Sequence, residues 1–172
     1  MSSRKGSAAD TDARVLVSTA RNPARSIRCM DLRETSDRLA LRELVDRYAR
    51  IADTRDRSQR DAQIERVFSK DAVLAGPGFT LAGREQIRTG LRALERYSAT
   101  LHAVHGQLVE LRGDEAVGET VCTASHVHEK DGRRLKLDQG IRYADLYRRE
   151  ASGWKIVRRE LHVVFEQELP LS

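Results

Sequence analysis

Residues 99–112 (ATLHAVHGQLVELR), 115–129 (EAVGETVCTASHVHE), 134–149 (RLKLDQGIRYADLYRR) and 153–167 (GWKIVRRELHVVFEQ) decide the fold. Each run is long and carries apolar residues with a period near two, the repeat of a strand that turns its side chains to opposite faces. The breaks between them are Gly113-Asp114, Asp131-Gly132 and Ser152-Gly153. Short polar turns containing glycine, set between β-rich runs, predict consecutive antiparallel hairpins.

Upstream the period changes. Leu39, Leu41, Leu44, Val45, Tyr48 and Ile51 or Ala52 recur near 3.6 residues, predicting a first helix over about 36–53 with Thr35 or Ser36 as its cap. Ile64, Val67 and Phe68 mark a second helix of about 57–69. Gly76-Pro77-Gly78 separates two short strands, 71–75 and 79–82. Gly83 is placed to cap a third helix over 84–96, with Gln86 positioned to reach back to the cap. Helices followed by four long strands give an α+β architecture in which a curved antiparallel sheet wraps the helices.

Residues 1–30 read differently. They are rich in Ser, Arg and Ala and carry six bases against two acids. This composition predicts a disordered, dispensable N-terminal extension before a domain over 31–172. Asp10 and Asp12 weaken a transit-peptide reading, and Val15-Leu16-Val17 is too short for a signal-peptide core. The whole chain has Lys+Arg 31 against Asp+Glu 26, but the part after residue 30 is nearly neutral, so no nucleic-acid-binding face is expected. No apolar run is long enough to cross a bilayer. Cys29 and Cys122 fit neither a disulfide framework nor a zinc site, which places the chain among cytoplasmic proteins with no metal.

Three blocks then carry a resemblance: Leu44-Val45-Asp46-Arg47-Tyr48-Ala49-Arg50-Ile51-Ala52-Asp53; Phe68-Ser69-Lys70-Asp71-Ala72-Val73 with Gly83-Arg84-Glu85-Gln86-Ile87; and Gly140 to Arg148 followed by Gly153-Trp154-Lys155-Ile156 and Arg159. In this order, over about 33–167, the chain resembles SnoaL-like domains of the nuclear transport factor two superfamily. The resemblance implies a cone-shaped α+β barrel with a deep apolar pocket, usually a homodimer. That superfamily hosts dehydratases, isomerases, cyclases, hydrolases, dioxygenase small subunits and non-catalytic modules, so function must come from the residues.

Asp53 closes the first helix, where the helix dipole disfavours an acid, and it therefore reads as a pocket carboxylate or a plain turn residue. On the first long strand, strict alternation groups His102 with Val104, Gly106 and Leu108, and His105 with Leu101, Ala103 and Val109. Both faces are apolar, so periodicity does not choose between the two histidines. The resemblance chooses: scytalone dehydratase, the dehydrochlorinase acting on lindane and the bile-acid 7α-dehydratase pair an Asp at the end of helix one with a His early in this strand, matching Asp53 and His102. A carboxylate bound to one imidazole nitrogen fixes the tautomer and raises the basicity of the other, which makes a general base for an acidic C–H. Such chemistry requires no cofactor.

The same resemblance offers Tyr48 as a polariser of a substrate carbonyl, with core packing as its ordinary alternative. It also offers His126, 24 residues after His102, as a second pocket histidine that binds a hydroxyl or water. His128 reads as a solvated strand end, His162 with Glu160, Glu166 and Glu168 as exposed edge residues, and Asp138 with Arg142 as a spacing that does not reproduce the Asp–Arg–Asp set of epoxide hydrolases. Tyr143, Tyr147 and Trp154 read as core or interface. The function implied is a cofactor-independent lyase or isomerase, dehydratase-like, for a small apolar oxygenated substrate such as a polyketide, steroid or aromatic intermediate. The alternatives are a non-catalytic ligand-binding or dimerisation module and the small subunit of a ring-hydroxylating dioxygenase.

Overall fold

The computed structural model describes residues 31–171. The expected extension over 1–30 lies outside the described residues. The elements run α1 (Leu32–Asp53), α2 (Arg57–Val67), β1 (Phe68–Gly76), β2 (Phe79–Ala82), α3 (Gly83–Leu91), a 3₁₀ turn (Arg92–Arg96), β3 (Ala99–Arg112), β4 (Glu115–Lys130), β5 (Arg133–Glu150) and β6 (Gly153–Pro170). One sheet of six strands, in the order β2-β1-β6-β5-β4-β3, forms the α+β cone. No helix among the described residues is long and apolar enough to cross a membrane.

The helices depart from expectation at their ends. Asp31, not Thr35 or Ser36, caps α1: its Oδ1 accepts from the Glu34 backbone N–H at 2.6 Å, so the helix starts four residues earlier. Phe68 leaves α2 and opens β1. Ala82, not Gly83, is the cap of α3, and Gly83 is its first residue; Gln86 still reaches back, its Oε1 accepting from the Ala82 N–H at 2.9 Å, and the helix gives way to the 3₁₀ turn after Leu91.

The long strands keep the expected antiparallel order, with Asp131 and Gly132 both at positive φ (53° and 72°) in the β4–β5 turn. That pair of angles is what a two-residue hairpin turn demands. The sheet is nevertheless mixed, because β1 pairs with β6 in parallel. β6 is covered by β1 only as far as Glu160, which is half-buried, so His162 lies beyond that pairing and is exposed along the free edge, as expected.

The concave face packs on α1. Leu41, Val45, Ile51, Phe68, Ile87, Tyr143, Tyr147 and Ile156 are all at most 3% exposed, and each fully buried aliphatic of this size stabilises the fold by about 1.5–3 kcal/mol. Strict alternation fails in β3. His105 and Gly106 together stand opposite Val121, a bulge that reverses the phase of the strand. Thr100, His102 and Val104 face inward before it, and Gln107, Val109 and Leu111 face inward after it. Leu108, expected beside His102, is therefore turned outward and 75% exposed. Arg42 donates to the carbonyls of Val104 (3.4 Å) and His105 (3.3 Å), satisfying backbone groups that the bulge displaces from the ladder.

Candidate active site

The last residue of α1 reaches the first inward residues of β3. His102 Nδ1 lies 2.7 Å from Asp53 Oδ1, and the His102 backbone N–H donates to Asp53 Oδ2 at 2.8 Å. Burial pushes the Asp53 carboxyl up, but the hydrogen bonds from the His102 ring and backbone outweigh it and hold the group below the usual carboxylate range. An acid at a helix C-terminus costs about 0.3–1 kcal/mol against the dipole, and these two bonds offset that cost. With Nδ1 donating to the carboxylate, Nε2 is the lone-pair nitrogen of a side chain only 6% exposed.

His102 lines a cavity of about 450 Å³ with mainly apolar walls, among them Leu74, Phe79, Leu81, Leu94, Ile141 and Leu161. Asp53 stands behind His102 rather than in the wall. A larger cleft of about 590 Å³ between α1 and α2 is lined by polar side chains such as Glu43 and Arg47, which pair in the open, and it contains no such dyad.

His126 is in the same wall. It sits on β4 where Thr100 faces it on β3, and its ring meets that of His102 edge-on at 5.5 Å. Tyr97 covers its other side at 4.5 Å. Burial first, and the neighbouring His102 second, lower the His126 pKa to about 4, so the ring is neutral near pH 7. Its Nδ1 is buried with no partner among the described residues. His128 is half-buried rather than solvated, with Nε2 3.1 Å from Glu168. No group of three or more His, Cys, Asp or Glu side chains converges as a metal site among the described residues.

Tyr48 also lines the cavity, but α1 continues unbroken to Asp53 and turns the two side chains apart. Its ring is 5% exposed and packed against Phe68 and Tyr143. Burial pushes its hydroxyl up to about 12, so it remains protonated.

Behind Tyr48 lies a charged pair that sequence reasoning did not single out. Arg159 Nε and Nη2 donate to Asp145 Oδ1 and Oδ2, both at 2.7 Å, and both side chains are fully buried. Tyr147 donates to the same carboxylate at 2.7 Å. The guanidinium lies 4.2 Å from the ring of Tyr48, which lines the cavity, and 4.4 Å from that of Tyr143 behind it. The available signal was Asp145 itself, an acid two residues from both Tyr143 and Tyr147 and hence on their inward face. Arg96, in the wall at the cavity mouth, was also missed, since a 3₁₀ turn gives no periodic pattern. Asp138 bonds Lys136 and Ser125, and Arg142 bonds Glu119 at the surface, so they form no epoxide-hydrolase set.

A family model described as the SnoaL-like domain matches residues 33–160. The chain belongs to the SnoaL-like domain family. Among solved structures, this SnoaL-like domain is similar to a candidate aromatic ring hydroxylase from Novosphingobium aromaticivorans (27% identity, 80% of this chain and 94% of that one, TM-score 0.66). It is also similar to a candidate scytalone dehydratase from the same organism (20% identity, 80% and 91%, TM-score 0.66). A third likeness is to the hexachlorocyclohexane dehydrochlorinase LinA-type3 from Novosphingobium barchaimii (17% identity, 83% and 95%, TM-score 0.68). The last two likenesses concern the fold. No curated protein matches the chain.

Proposed function

We propose that this SnoaL-like domain is a cofactor-independent lyase or isomerase of the dehydratase kind, acting on a small, largely apolar oxygenated molecule. The observation that carries the reading is the doubly hydrogen-bonded Asp53–His102 pair set against an apolar cavity of about 450 Å³. His102 Nε2 removes a proton from a carbon made acidic by an adjacent carbonyl. The imidazolium formed is stabilised by Asp53. In elimination, the C–H pair becomes the new double bond, the C–O bond breaks, and the hydroxyl leaves as water with the proton that His102 returns. In isomerisation, the proton goes back to another carbon of the same substrate.

His126, neutral and with an unpartnered nitrogen, binds the departing hydroxyl. Tyr48 has its ring in the cavity wall and remains a donor toward a carbonyl. The names of two structural neighbours, a dehydratase and a dehydrochlorinase, are both names of eliminations. The protein acts as a homodimer through the outer sheet face, where Leu101, Leu108, Val164 and Phe165 are each more than 60% exposed or close to it.

A thermal-shift screen of apolar hydroxy-ketones, followed by turnover assays on the hits, tests the reading. Loss of a water equivalent or migration of a double bond, abolished in His102→Ala, is the expected outcome. Ligands that bind but are never turned over would overturn it in favour of a non-catalytic binding module.

A further inference from the structure

The cavity wall is unevenly charged. Its lining contains one permanent charge, Arg96, and no carboxylate. Several arginines of α1 and α2 pair with acids, as Arg38 does with Glu34, Arg47 with Glu43 and Arg57 with Glu95. Arg96 has no carboxylate in ion-pairing range among the described residues, and its sequence neighbour Glu95 is taken by Arg57 and Arg60.

It is nevertheless held in place. The guanidinium lies over the Tyr97 ring, 4.7 Å from its centre, and Nη2 donates to the Tyr97 hydroxyl at 2.7 Å. Tyr97 in turn covers His126. A guanidinium has five N–H donors, and this bond uses one of them. The Arg96 side chain lines a cavity whose walls are mainly apolar.

Building on the proposed function, we propose that the substrate carries a carboxylate, which Arg96 binds at the cavity mouth while the apolar body enters toward His102. A planar carboxylate matches the fork of a guanidinium in two parallel bonds. A neutral isostere leaves the fork to water and gains none of this.

The test is binding, independent of turnover. The full chain is titrated calorimetrically at pH 7.5 and low salt with 1-naphthoate and with its neutral isostere 1-naphthamide. The acid is expected to bind on the order of tenfold more tightly. The difference should vanish in Arg96→Gln and survive in part in Arg96→Lys, with melting temperatures unchanged because the side chain is exposed. Equal affinity of acid and amide, absence of acid binding, or a preference that persists in Arg96→Gln each overturns the proposal. Because the readout needs no chemistry, Asp53→Asn and His102→Ala should retain the preference even if the lyase reading fails.

Discussion

Asp53 grips His102 at two points, the ring Nδ1 at 2.7 Å and the backbone N–H at 2.8 Å. One carboxylate thus fixes the strand as well as the ring it carries, and the imidazole has little freedom to tilt away from the cavity. Asp53→Asn keeps the shape but removes the charge that stabilises an imidazolium. We expect Asp53→Asn and His102→Ala each to lower the rate by about 10²–10⁴, and the double variant to lose little more than the worse single one. Steady-state assays on a screened substrate measure this; additive losses would show that the two do not act as a unit.

Tyr48→Phe keeps the ring in the cavity wall and removes only the donor toward a carbonyl, so it should cost less than His102→Ala, about tenfold or under in rate. A drop as large as that of His102→Ala would assign the hydroxyl a direct part in proton transfer.

Folding stability should fall in mild acid. His126 titrates at about 4 in the folded chain against 6.5 when free, so between those values the unfolded chain holds the proton and the folded one does not. Unfolding is therefore favoured as pH falls from about 6.5 to 4, by at most about 3.5 kcal/mol at about 1.4 kcal/mol per unit. Below pH 4 the loss from this group is complete. The lowered Asp53 carboxyl adds stability that is present above its free value and disappears below it. Urea denaturation from pH 4 to 7 should show this slope in the native protein and a shallower one in His126→Phe.

Removing one member of the buried pair strands the other. Arg159→Met should destabilise by about 3–5 kcal/mol, because the Asp145 carboxylate remains in the core. Adding Asp145→Leu to that variant should recover part of the loss, as read from the urea midpoint. A double variant no more stable than Arg159→Met would assign the loss to packing.

The exposed apolar residues of the outer sheet face predict association. Light scattering at micromolar concentration should give the mass of a dimer, and Leu108→Glu or Phe165→Glu should shift it to monomer. A monomeric native protein would rule out this interface.

Much of the fold was legible because glycine turns punctuate it: the limits of β3 to β6 differ from expectation by at most three residues. The parallel β1–β6 pairing was not legible, since those strands are separated by most of the domain and nothing local records their meeting. The Asp53–His102 contact followed from family resemblance, not from periodicity, which left His105 equally eligible. Asp145 and Arg159 were read as members of a motif, and only their mutual approach explains why two charges occupy an apolar layer.

The bulge in β3 makes the number of residues there matter more than their kind. A side chain at position 106 would meet nothing within 4 Å, so replacing Gly106 should be tolerated. Deleting it would restore simple alternation. With Val109 and Leu111 held in the core, the stretch carrying His102 would then be rotated half a turn, presenting its imidazole to water and Leu101 to the cavity. Which face the His102 end of the strand presents is thus set by a count, and a single-residue gap at this point would silence the proposed site while leaving every proposed active-site residue in the sequence.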